Sequence, residues 1–250
     1  AFGYGNGGYE IAKLLEHHKI DYLGVAFADE GIELRKAGIT VPIMVLNPEI
    51  SSFNAMIAYD LEPEIYSITG LNAFLKIAQR RNISSYPIHL KIDTGMHRLG
   101  FQKADFEILK SIIKNNNFIH VESIFTHLAT SDDMNFKDFT LSQINLFTEV
   151  YNDLTKVLNH KPIRHILNTS GIFNYPKYQM EMVRLGIGLY GVGNSEEETK
   201  QLLNVSTLKS IISQIHTIEK GESVGYSRKF IATKQTKVAT IPIGYADGIS

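Results

Sequence analysis

At 250 residues and 44% hydrophobic side chains, the chain is long enough to bury a large core, in one domain or in one and part of a second. Its 25 basic and 26 acidic residues leave a formal charge of -1, which excludes a broad attraction for nucleic acid or anionic membrane and makes small molecules or protein the expected partners. The absence of cysteine excludes disulfides and thiolate metal sites, and no apolar run approaches about 18 residues, so no membrane span is expected and the cytoplasm is the default location.

The chain opens at Ala1 with no charged leader and closes on Asp247-Gly248-Ile249-Ser250 directly after a strand-like VATIPIGYA, so both ends are expected to be cut from a longer protein. Its first ten residues, AFGYGNGGYE, lead into a helix expected over Ile11 to His18. Four glycines in this stretch let backbone amides approach a phosphate, although glycine also serves an ordinary turn, and neither a Walker nor a Rossmann spacing is present. His17 and His18 read as solvated or helix-terminal groups. Short apolar runs follow: DYLGVAF near 21 to 27, PIMVLN near 42 to 47, IHLKID near 88 to 93, VESIFTH near 121 to 127 and IRHILNT near 163 to 169. Between them lie helical stripes. Leu71, Phe74, Leu75 and Ala78 form one, Phe106, Leu109, Ile112 and Ile113 another, and Leu141, Ile144, Phe147, Leu154 and Leu158 a longer third.

This alternation runs for some 190 residues and predicts right-handed βαβ units in a parallel sheet, closed as a (β/α)8 TIM-type barrel or open and doubly wound. Polar residues recurring at strand ends favour the barrel. The strand expected over Tyr86 to Asp93 is the clearest case, because Ile88, Leu90 and Ile92 share one face while His89, Lys91 and Asp93 share the other. Charges pointing into a barrel are costly unless they are paired or put to use. Arg98, in the loop leaving this strand, is suited to hold a carboxylate by two parallel hydrogen bonds. A structural Lys91–Asp93 ion pair, with Arg98 closing the loop, is the plain alternative. FTHLATSDD ends the next strand in His127, and RHILNTSG ends the one after in His165, Asn168 and Thr169, where barrel enzymes put their sites. No spacing among the nine histidines makes a metal site. In MVRLGIGLYG, Arg184 precedes Gly186, Gly188 and Gly191, whose amides either face an anion or serve chain reversal.

After Gly193 the rhythm breaks. Asn194 to Lys200 reads as an acidic, solvated connection, and the β-branched, Gly-turned remainder is expected to begin an all-β domain. The boundaries are thus 1–199 for a barrel lacking most of its first strand, and 200–250 for an incomplete β-domain. Tyr226 and Tyr245 each sit there in a Gly-flanked turn, as interface fillers or proton donors.

Taken in order, AFGYGNGG, KIDTGMHRLGF, FTHLATSD, HILNTSG, RLGIGLYG, VGYS and IPIGYADG resemble the bacterial alanine racemases, pyridoxal-phosphate enzymes with a barrel and a C-terminal β-domain. The resemblance covers essentially the whole chain. It implies interconversion of L- and D-alanine by two-base proton transfer, supplying D-alanine for peptidoglycan, in a homodimer whose sites are shared between subunits. Some bacterial relatives fuse the racemase behind a cell-wall ligase. It implies that Tyr4, Thr169 and the amides of Gly186 and Ile187 bind the cofactor phosphate, with Thr169 standing where serine is usual. Arg98 matches the arginine reaching the cofactor's phenolic oxygen and the substrate carboxylate, with Tyr245 also assigned to the substrate. Lys91 matches a lysine that orients this arginine and is often carbamylated. His127 packs on the pyridine ring, and Arg184 faces the ring nitrogen, followed by leucine where proline is common. Tyr226 resembles the base from the other subunit, with His127 as its partner. The lysine that holds the cofactor is expected just ahead of Ala1, so this segment alone is expected to be inactive. A serine racemase, a non-catalytic pyridoxal-phosphate carrier and a decarboxylase are the competing readings.

Overall fold

In the computed structural model, which describes residues 2–114 and 116–249, one sheet holds six parallel strands. The outer limits of the two expected domains, Ala1 and Ser250, lie outside the described residues. The strands are β1 (Leu23–Val25), β2 (Ile43–Val45), β3 (Leu61–Ile65), β4 (Tyr86–Lys91), β5 (Ile119–Phe125) and β6 (Ile163–His165). They pair strictly in chain order. A doubly wound sheet reverses its order at a switch point, whereas an unbroken sequential order is the arc of a (β/α)8 barrel. The barrel is therefore the architecture observed.

Helices α1 (Gly8–His17), α2 (Ala28–Lys36), α3 (Phe53–Ala58), α4 (Ile68–Arg80), α5 (Phe106–Ile113) and α6 (Lys137–Leu154) alternate with the strands. In α4 the N-cap Ser67 Oγ accepts from the Gly70 N–H at 3.1 Å, and the expected stripe places Leu71, Phe74 and Ala78 in the core. Phe74 meets Phe53 of α3 edge-on at 5.2 Å. Each such ring withdraws apolar surface worth about 1.5–3 kcal/mol from water. The α6 stripe is buried at Ile144, Phe147 and Leu154 and half-buried at Leu141, but Leu158 lies past the helix, beyond a 3-10 turn at Thr155–Val157.

The sequence pattern misses β3. LEPEI has one proline and two glutamates in five residues, a composition that argues against a buried strand. Alternation resolves this: Leu61 and Ile65 enter the hydrophobic core, while Glu62 and Glu64 meet His89 and Lys91 on the other face. A second irregularity lies between β4 and β5, where the register steps from Ile88↔Val121 to His89↔Ser123 and leaves Glu122 as a bulge. The extra residue turns Ser123 onto the face of His89.

After β6 come α7 (Thr169–Asn174) and α8 (Glu196–Lys200). The expected solvated connection is instead docked. Glu198 is buried and accepts from Ser170 Oγ at 3.1 Å and from the Asn194 N–H at 2.9 Å, so the acidic run carries one buried anchor as well as exposed charge.

The chain divides into two compact units, Ala1–Leu203 and Asn204–Ser250. The second contains an antiparallel pair of β7 (Gln214–Ile218) with β10 (Thr236–Thr240), and a two-residue pair of β8 (Ser223–Val224) with β9 (Phe230–Ile231). Among the described residues no helix is long and apolar enough to cross a membrane.

Candidate active site

Residues on the inner face of β3 to β6, polar except for Phe125, form two cross-strand rows. Lys91, Phe125 and His165 are in register along one, and Glu64, His89 and Ser123 along the other, nearer the N-terminal ends of β4 and β5. All six are buried. The Phe125 ring lies within cation–π reach of two cations, with Lys91 Nζ 5.6 Å and the Arg184 guanidinium 5.2 Å from its centroid, and it stacks on His165 at 4.4 Å.

Lys91 pairs with Glu64, whose Oε1 is 3.0 Å from Nζ. Burial pushes the Glu64 carboxyl up to about 7, against the pull of Lys91, Arg184 and Arg98. Neither Glu64 oxygen has a well-angled hydrogen-bond donor among the described residues. The alternative Lys91–Asp93 pair is not formed. Asp93 accepts from the amides of Gly95 and His97, each at 3.0 Å, and contacts His97 Nδ1 at 2.9 Å. These bonds tie down a loop that closes where the Phe101 N–H donates to Lys91 O at 2.8 Å and the Asp93 N–H to Phe101 O at 3.0 Å. Gly100 is required at this closure, because a Cβ there falls 2.4 Å from the Asp93 nitrogen. Arg98 stands exposed on this loop. Among the described residues it makes no side-chain hydrogen bond or ion pair, so its guanidinium is available to a ligand.

Arg184 lies on an extended segment beside β6, its N–H donating to Leu167 O at 2.9 Å. Nη1 donates to His165 O and to His165 Nδ1, both at 2.7 Å, and Nη2 to Thr126 O at 2.8 Å. With both terminal nitrogens engaged, Nε–H is the donor left for a ligand. Burial brings this guanidinium down to about 10, with Glu64 opposing the shift, so it stays cationic at neutral pH. His127 Nδ1 lies 3.4 Å from Nη2. Burial, then Arg184, Arg98 and Lys91, push His127 down to about 3, so it is a neutral ring at physiological pH.

A second cluster surrounds Thr169 at the start of α7. Its Oγ1 accepts from the amides of Gly186 at 3.1 Å and Gly188 at 3.3 Å. A Cβ on Gly186 would sit 3.0 Å from Tyr4 Oη and 3.6 Å from Thr169 Oγ1, so glycine is what lets these two hydroxyls converge on the backbone here. Ile187 opens the 3-10 turn Ile187–Tyr190, which leaves its N–H unused by the turn. Tyr4 holds a left-handed φ of 56° and its ring lies 5.3 Å from that of Tyr190. Two hydroxyls and the free N–H of Ile187 beside Gly186 form an anion cradle.

The first unit thus brings together Tyr4, Thr169, Gly186 and Ile187 at one cluster and Lys91, His127, His165 and Arg184 at the other. Tyr226 and Tyr245 belong to the second unit, each in a 3-10 turn, 92% and 85% exposed. The pattern reading misses Glu62, Glu64, Ser123 and Thr126. Alternation in LEPEI signals the two glutamates, but nothing in the sequence marks the bulge that turns Ser123 inward. Among the described residues no group of acids and histidines is arranged to hold a metal.

The family model described as alanine racemase, N-terminal domain, matches residues 1–194, and that for the alanine racemase C-terminal domain matches residues 205–250. Alanine racemase 1 of Clostridium acetobutylicum is 38% identical over 255 residues, which cover 99% of this chain and 65% of that protein. The solved alanine racemase of Clostridium difficile 630 superposes with a TM-score of 0.84 at 35% identity, over 99% of this chain and 66% of that one. The alanine racemase of Bartonella henselae, solved with covalently bound pyridoxal phosphate, gives a TM-score of 0.82 at 25% identity, over 98% of this chain and 67% of that one. The chain therefore spans about two thirds of the length of the proteins it resembles.

Proposed function

The chain belongs to the alanine racemase family, and from that premise we propose that the whole protein interconverts L- and D-alanine with pyridoxal phosphate as cofactor, as the family does. The single observation that carries this reading is the Gly186 cradle. Tyr4 Oη and Thr169 Oγ1 converge there beside the unused N–H of Ile187, a donor set suited to the oxygens of a phosphate monoester.

When bound, pyridoxal phosphate supplies the electron sink that makes the alpha proton of an amino acid removable. The residues of the chain do the rest. Tyr4, Thr169 and the Ile187 amide anchor the phosphate, and the Gly186 amide joins them by exchanging its bond to Thr169 Oγ1 for one to the anion. Arg184 presents Nε–H to the ring nitrogen and stays a hydrogen-bond donor rather than a proton source, because its guanidinium holds its proton to about 10. His127, neutral down to about 3, packs as an uncharged ring instead of competing for protons. Arg98 binds the substrate carboxylate by its two-pronged donor face, with Tyr245 assisting. Lys91 is held by Glu64 in the strand that leads into the Arg98 loop. Tyr226 moves the alpha proton on one face, contributed from the other chain of a homodimer, and a lysine outside these 250 residues serves the other face. D-alanine made this way would feed peptidoglycan.

The test is to load the full-length protein with pyridoxal phosphate and follow loss of optical activity from L-alanine, D-alanine and L-serine separately. Alanine is expected to racemise in both directions, faster than serine. Replacing Tyr226 with phenylalanine is expected to lower the rate by at least about 100-fold, the low end for a positioned acid-base group, while the cofactor stays bound. A loaded wild-type protein that turns over serine but not alanine, or neither, refutes the assignment.

A further inference from the structure

A guanidinium can only donate hydrogen bonds. Because Arg184 Nη1 lies 2.7 Å from His165 Nδ1, that nitrogen must carry a lone pair, and the proton of the neutral ring sits on Nε2. Burial, together with Arg184 and His89, keeps His165 well below the usual imidazole range and so in this neutral form. Nε2 is 2.8 Å from Ser123 Oγ and donates to it. The one serine proton is then left for His89 Nδ1, 2.7 Å away. That places the His89 proton on Nε2, which faces Glu62 Oε2 at 2.8 Å. A carboxylate only accepts, so the far end demands the same direction as the near end. Tyr22 packs edge-on against His89 at 5.6 Å.

We propose that Glu62 is a remote positioning residue of the site, holding Arg184 in place through His89, Ser123 and His165 by a hydrogen-bond chain whose direction both ends fix. The inference rests on the reading of Arg184 as the cation that faces the cofactor ring. The chain steps across four neighbouring strands, from His165 at the end of β6 to Ser123 in β5, His89 in β4 and Glu62 near the start of β3. His165, Ser123 and His89 are all 0% exposed, so any broken link leaves a polar atom with no water to turn to. The β5 bulge gains a purpose here, since without it Ser123 would face the other side of the sheet. If the chain ran in reverse, His165 Nδ1–H would confront Arg184 Nη1–H, and the guanidinium would have to move.

The test uses the full-length protein, with and without pyridoxal phosphate, and reads the ring nitrogens of His89 and His165 by 15N–1H NMR. In the parent both rings are expected to be neutral with the proton on Nε2. Glu62→Gln keeps an acceptor oxygen and is expected to preserve this pattern and cofactor affinity. Glu62→Leu removes the acceptor and is expected to shift the proton toward Nδ1 in one or both rings and weaken pyridoxal phosphate binding roughly tenfold, the loss of about one hydrogen bond to a charged group. Should Glu62→Leu fail to fold, Ser123→Ala breaks the chain at its middle; Arg184 and Glu62 still hold the proton of each ring on Nε2, and the expected effect is the same roughly tenfold loss of cofactor affinity. An Nδ1–H ring in the parent, or unchanged rings and affinity in whichever variant folds, overturns the proposal. The ring signals are read without cofactor, so a folded protein with the expected rings that binds no pyridoxal phosphate would refute the racemase reading and leave the chain intact.

Discussion

Glu64 shows how much a single buried acid determines at this site. It is fully buried, it is the carboxylate nearest the Lys91 ammonium, and its own proton is held up to about 7. A folded-state value above the ordinary 4.5 means that the folded protein binds this proton more tightly than the unfolded chain does. The resulting stabilisation is complete below about 4.5 and lost as pH rises through about 7. Denaturant unfolding followed between pH 4 and pH 8 is expected to show that decline in the parent and not in Glu64→Gln. At pH 8 the same substitution is expected to leave the protein at least as stable as the parent, because the neutral amide avoids the cost of the buried carboxylate that outweighs its attraction to Lys91. An identical pH slope in parent and variant would remove Glu64 from this role.

At the scale of elements, the loop between β4 and α5 depends on backbone space as much as on side chains. Gly100 has a φ of 138° and a would-be Cβ 2.4 Å from backbone, whereas Gly38 has a φ of 89° and nothing within 4 Å. Gly38→Ala is therefore expected to cost only the left-handed strain, about 1–2 kcal/mol. Gly100→Ala must open the Lys91–Phe101 closure and carry Arg98 with it. It is expected to destabilise by more than Gly38→Ala and to raise KM for alanine at least about tenfold, the worth of roughly 1.4 kcal/mol of substrate binding. Equal effects from the two substitutions would show that φ alone matters here. This loop was legible in the sequence because KIDTGMHRLG concentrates charge, glycine and a β-pattern in ten residues. β3 was not, because Glu62, Pro63 and Glu64 mask a strand whose two outward residues are enough to bury it. Composition hides the burial in the acidic connection for a related reason: Glu198 resembles its exposed neighbours, and the Ser170, Asn174 and Asn194 donors make its burial tolerable. Alternation survives such masking, whereas a bulge erases it, and the Ser123 link therefore had no sequence signal.

At the scale of the molecule, the proposed chemistry divides between the two units. The cofactor cradle and the cations Lys91, Arg98 and Arg184 lie in the first, and Tyr226 lies in the second with 92% of its surface in water. Tyrosine ionises near neutral pH only when cations or hydrogen bonds stabilise the phenolate, since its ordinary value is about 10. Full exposure supplies neither, so the base needs a surrounding that an exposed turn lacks. A symmetric pair of chains supplies it if each offers Tyr226 to the other's barrel. Complementation tests this directly. Arg98→Ala damages the barrel half of a site and Tyr226→Phe the tyrosine half, and each variant alone is expected to be nearly inactive. When equal amounts are unfolded together and refolded, random pairing makes half the dimers mixed, and each mixed dimer holds one site with both halves intact. Activity is then expected to recover to about a quarter of the parent's. If each site is built within one chain, every site in the mixture carries one defect, and no recovery occurs at any mixing ratio.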